Sequence, residues 1–105
     1  MFAKVCRVSA QGRWITVCDA IRRFNVEPSV GNGAPNPFVM RLGPTLCCFV
    51  GGERIGLLIS SGAHPRYLRN SGSDEPLATA TELIAADQTV HLGPQHPSAM
   101  TLHVV

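Results

Sequence analysis

Three of the chain's four histidines, His91, His96 and His103, fall in its last sixteen residues, VHLGPQHPSAMTLHVV. Imidazole ligates metals and carries protons near neutral pH, so such a cluster is the first place to look for chemistry. The flanking runs QTVHL (88–92) and AMTLHVV (99–105) alternate apolar with polar residues as half-buried strands do. If Val90 faces Val104 and Leu92 faces Leu102, those four residues line one face, and Thr89, His91, Thr101, His103 and Val105 line the other. His91 then stands opposite His103, with Cβ atoms roughly 4.5–5.5 Å apart. With His96 from the connecting loop, His91 and His103 make a candidate metal set of three nitrogens, the number a catalytic zinc uses. No Asp or Glu lies in the stretch to orient the rings, and the apolar half alone accounts for a hairpin. A solvent-facing histidine pair is therefore the favoured reading, with a ligand or catalytic pair as the alternative.

The segment Leu92-Gly93-Pro94-Gln95-His96-Pro97-Ser98 resembles the LGPQHP(A/S) segment near the start of the quinone-pocket subunit of respiratory complex I and of related nickel–iron hydrogenase large subunits. The resemblance would put His96 beside a quinone. It covers seven of 105 residues, closes this chain where in the family it opens a much longer one, and has Met100 where a second histidine normally follows. A motif this short, without its structural context, fixes neither fold nor activity.

A second cluster, His64, Arg66, Tyr67 and Arg69, lies in the loop-like run SGAHPRYLRNSG. Forked guanidinium donors beside an aromatic ring suit an anionic or phosphate-bearing small molecule. No glycine-rich strand-to-helix cradle accompanies them, and the bland alternative is a solvated loop whose Tyr packs on the sheet. Arg22-Arg23 reads as a solvated edge.

The cysteines, Cys6, Cys18, Cys47 and Cys48, give no C-x-x-C spacing and so no zinc ribbon. They are expected to be reduced, small buried hydrophobes. Ser60-Ser61-Gly62 lacks the G-x-S-x-G elbow of a serine hydrolase, so no catalytic residue is assigned. No motif calls for a cofactor.

The elements that must position these residues read as mainly β. FAKVCRVS (2–9) and RWITVCD (13–19) form a hairpin across Ala10-Gln11-Gly12. Two registers are open: one sets Cys6 opposite Thr16 and Val8 opposite Trp14, and the other slips by one residue. AIRRF (20–24) is a short turn of helix or a continuation of the strand. The run 25–37 holds Pro28, Gly31, Gly33, Pro35 and Pro37 and must be a long loop. FVMRL (38–42), TLCCFV (45–50) and RIGLLIS (54–60) are three further strands. The last two join through Gly51-Gly52 and are apolar on both sides, which makes them central. Ser73-Asp74-Glu75-Pro76 caps an expected helix over 75–86, with Leu77, Ala80 and Ile84 as its apolar stripe. With the C-terminal hairpin this gives about seven short strands and one helix, a single-domain antiparallel sheet or small barrel over 1–105.

Bulk composition narrows the function classes. A net charge of +2 gives no reason to expect a nucleic-acid partner. No run approaches the roughly 18 apolar residues of a membrane helix, and no leader-like apolar segment follows Met1, so a cytoplasmic protein without a membrane partner is expected. Charged residues make up 15% of the chain against roughly 25% in typical domains, which leaves apolar surface to be covered by other copies. Trp14, the only tryptophan, reads as a core or interface anchor. The expectation is a non-enzymatic, self-associating module, a dimer or higher homo-oligomer, binding a small ligand or protein partner through loops 25–37 and 61–74. The alternative is a small metal-dependent or acid–base enzyme built on the C-terminal histidines.

Overall fold

A computed structural model describes residues 1–23 and 35–105. Among them the architecture is one antiparallel sheet of three strands in the order β2-β1-β3. The strands are β1 (Phe2–Val8), β2 (Trp14–Ile21) and β3 (Arg54–Ser60). Most of loop 25–37 lies outside the described residues.

The centre of the sheet is β1, not the apolar runs at 45–50 and 54–60. Its sequence FAKVCRV offers apolar side chains to both faces, and Phe2, Ala3, Val5, Cys6 and Val8 are the buried hydrophobic residues among those described. Lys4 and Arg7 are only partly covered. The expectation that TLCCFV and RIGLLIS are central is corrected: β3 sits at an edge, and residues 45–50 form no strand.

Both registers left open for the first hairpin occur in it. Near the turn Val8 faces Trp14 and Cys6 faces Thr16; beyond an irregularity between Val5 and Cys6, Val5 faces Cys18 and Phe2 faces Ile21. A bulge takes up the extra residue, Val17, which explains how one strand can satisfy two registers. The turn closes with Ser9 N–H on the Arg13 carbonyl (2.9 Å) and Gly12 N–H on that of Ser9 (2.9 Å), Gly12 taking a φ of 82°. The strand continues through Ile21, settling AIRRF as an extension of β2 as far as that residue.

Residues 43–47 run beside the outer edge of β2 without forming a regular ladder. Gly43 N–H reaches the Asp19 carbonyl at 3.4 Å, and the Thr45 hydroxyl reaches that of Val17 at 3.4 Å. The chain then turns at Gly51-Gly52, where Glu53 N–H bonds the Val50 carbonyl (3.1 Å). The expected turn is present, but β3 leaves it to pair with β1. Glu53 fixes this crossing, accepting from Val50 N–H (3.0 Å) and pairing with Arg7 Nε at 3.3 Å.

No helix occurs among the described residues. The stretch expected to be helical over 75–86 makes one turn, with Ala80 N–H on the Pro76 carbonyl at 3.0 Å. Two threonines, acidic Glu82 and Asp87 toward its C-terminal end, and the exposure of Ile84 leave a helix this short without propensity, dipole or packing support. The segment instead forms a loop of residues 72–83 closed at its neck by Ile84 N–H on the Ser71 carbonyl (2.7 Å), with Ser71 buried. The C-terminal strands at 88–92 and 99–105 do not form either. Their intended core residues Val90, Leu92, Leu102 and Val104 are exposed, and a lone two-stranded hairpin is marginal without a sheet to pack on. The count of seven strands and one helix is thus corrected to three strands, while the mainly β, antiparallel character holds.

Candidate functional site

Pairing parity sorts the sheet's side chains onto two faces. On one face, Phe2 and Asp19 meet the loop after β3. Arg66 Nη2 donates to Asp19 Oδ1 at 3.0 Å, and the Tyr67 hydroxyl reaches the same oxygen at 3.4 Å. The Arg66 guanidinium lies 5.6 Å from the Tyr67 ring centroid, and Tyr67 in turn meets the Phe2 ring at 6.0 Å. The hydrogen bond to Tyr67, followed by the charge of Asp19, raises the Arg66 pKa and holds the guanidinium charged. Of the four residues considered for an anionic ligand, Arg66 and Tyr67 are therefore turned to Asp19, while His64 and Arg69 are exposed. Asp19 was not singled out in the sequence; an acid in the second half of a strand, next to a basic loop only in space, leaves no local signal.

The same face holds the indole of Trp14. It reaches across β1 to lie on Gly56 of β3, where a β-carbon would come within 2.6 Å of the ring. Gly56 is buried and Trp14 is 54% exposed, so the tryptophan is not a core residue.

On the other face, Ile15 of β2 and Ile55, Leu57 and Ile59 of β3 flank the buried Ala3 and Val5 of β1. All four flanking residues are exposed, Leu57 by 46%. Ala3 and Val5 at the centre of this face are covered while the apolar residues along its edges stay open, and among the described residues no second sheet or helix packs over it, although protein domains are normally built from two packed layers. The whole chain exposes 8867 Å², against about 5,700 Å² for a compact monomer of its mass. Its radius of gyration is 16.5 Å, against about 13 Å for a compact domain of this length.

The histidines are arranged differently from the expected set. His91 meets His96, with ring centroids 5.3 Å apart at 65°, across a tight turn in which His96 N–H bonds the Gly93 carbonyl at 3.1 Å. Gly93 and His96 form the only bridge in the segment, so the ladder that would set His103 opposite His91 is not made. No group of three or more His, Cys, Asp or Glu side chains that could hold a metal occurs among the described residues. All four cysteines are free thiols. Cys6 is buried as expected, but Cys18 and Cys47 are partly covered and Cys48 is exposed, because 45–50 does not enter the core. Burial, and then the neighbouring Asp19, push the Cys18 thiol pKa up. No helix among the described residues is long and apolar enough to cross a membrane.

Over 111 aligned positions the chain is 31% identical to cocaine esterase from Rhodococcus sp. (strain MB1 Bresler), a similarity that takes in 98% of this chain. The chain spans about a fifth (19%) of the length of that curated relative. No protein-family model matches the chain, and no solved structure does.

Proposed function

We propose that this chain is a non-enzymatic β module that works against a larger protein body, and that this body hydrolyses esters. The observation that carries the reading is the open row of Ile15, Ile55, Leu57 and Ile59 on one sheet face. Apolar side chains exposed in such a row gain roughly 25 cal/mol for each Å² removed from water. A second β layer stacked at about 10 Å is the cover that a sheet face accepts most readily.

The likeness to cocaine esterase supports the nature of the body. The similarity extends over nearly all of this chain and over a fifth of that enzyme. No motif in the chain supplies a nucleophile, base and orienting acid together, so we place the ester chemistry outside it. When the module is alone, the same exposed row joins it to further copies, which is the self-association expected from its low charge. An anionic group could still be met at the loop by His64, Arg69 and the free side of Arg66, with Tyr67 and Asp19 holding Arg66 in place.

The test is hydrolysis by the purified chain of p-nitrophenyl acetate and of a benzoyl ester. No turnover above buffer is expected. Saturable turnover that a serine-directed inhibitor abolishes would overturn the non-enzymatic reading.

A further inference from the structure

We propose that His91 and His96 form a two-imidazole site for a divalent first-row transition ion of the zinc class. This inference is independent of the esterase reading, since it rests on the turn at 93–96 and on no part of the sheet.

Two histidines five residues apart have no fixed relation in an extended chain. Here the turn Gly93-Pro94-Gln95-His96 folds them together. His96 N–H closes on the Gly93 carbonyl at 3.1 Å, and Gly93 takes a φ of 132°, a conformation that L side chains rarely adopt. The prolines at 94 and 97 restrict the backbone on both sides of Gln95-His96. The result is a ring-centroid separation of 5.3 Å with the planes at 65°.

That separation matches a shared ion. With zinc–nitrogen bonds of about 2.0–2.1 Å and a tetrahedral angle between them, the centroids of two imidazoles on one ion stand about 5.2 Å apart. Both residues are exposed, so rotating the rings to aim one nitrogen each at a common point displaces no packed neighbour. Imidazole suits zinc, copper and nickel, whereas calcium and magnesium sites rely on carboxylate oxygens, which this turn lacks. No third His, Cys, Asp or Glu joins the pair among the described residues, so the remaining positions fall to water or to an external ligand. His103, expected beside His91 from the strand pattern, takes no part.

Zinc chloride titrated into the full chain, followed through the imidazole nitrogen resonances by NMR, tests the site and separates histidine binding from binding to the free cysteines. The expected result is that the His91 and His96 signals move together and saturate at one equivalent, while those of His64 and His103 stay in place. In His96→Ala the His91 shift should be lost with the rest of the spectrum unchanged, which also shows that the variant is folded. Unmoved His91 and His96 signals, movement of His103 with them, or a His91 shift that survives His96→Ala would each overturn the proposal.

Discussion

The indole of Trp14 lies against Gly56, two strands away across the central strand β1. A β-carbon at position 56 would stand 2.6 and 2.8 Å from two ring carbons and 2.8 Å from Val8 Cγ2. Those distances leave no room for even one methyl group. Gly56→Ala should cost about 1–3 kcal/mol, the usual penalty of overpacking, and should displace the tryptophan. Urea unfolding followed by Trp14 fluorescence checks both effects, since it is the only tryptophan.

Asp19 gathers two partners from the loop after β3 onto one carboxylate oxygen. Its side chain is only 11% exposed, whereas that of Arg66 is 64% exposed. Removing the acid therefore leaves the Tyr67 hydroxyl and the guanidinium without their shared acceptor. Asp19→Ala should cost about 1–2 kcal/mol and should speed amide exchange through 64–69. Arg66→Ala should change stability much less, because an exposed ion pair is screened. Equilibrium denaturation with amide exchange of the two variants would distinguish a loop held by Asp19 from one that rests freely on the sheet.

Thiol reactivity should follow the order of exposure. Cys48 is exposed, Cys18 is partly covered with a raised pKa, and Cys6 is buried. Iodoacetamide at mildly alkaline pH should label Cys48 first and Cys6 last, with Cys18 slow until the pH passes the ordinary thiol range. Because the folded state raises the Cys18 pKa, it favours the neutral thiol. The stability this contributes is complete below the unfolded pKa and is lost as the pH rises through the folded one. Cys18→Ser should flatten that alkaline decline; peptide mapping and melting curves across pH measure the two effects.

The first hairpin shows how much was legible in the sequence and where legibility stops. Alternation and the Gly12 turn located both strands, and both candidate registers are present because a bulge at Val17 joins them. The choice between them depended on a backbone irregularity that no side-chain pattern announces. Residues 88–92 and 99–105 carry an equally clean alternation and still form no strands, since alternation says which face is apolar but not what that face will meet. The same gap explains β3. RIGLLIS is apolar enough for a central strand, yet the central place went to FAKVCRV, and the excess apolar surface of β3 remains at the edge as the open face. For the histidines, spacing brought His91 and His96 into one stretch, but only the closed turn at 93–96 chose His96 rather than His103 as the partner of His91.

The open face itself is tested most directly by the molar mass of the isolated chain in solution, measured by light scattering across a concentration series. The wild-type chain is expected to exceed its monomer mass of 11.2 kDa increasingly with concentration, and Leu57→Asp, which puts a charge in the middle of the apolar row, should return it to the monomer. A wild-type chain that stays at monomer mass throughout, or a Leu57→Asp variant that associates as the wild type does, would contradict an apolar docking face built from Ile15, Ile55, Leu57 and Ile59.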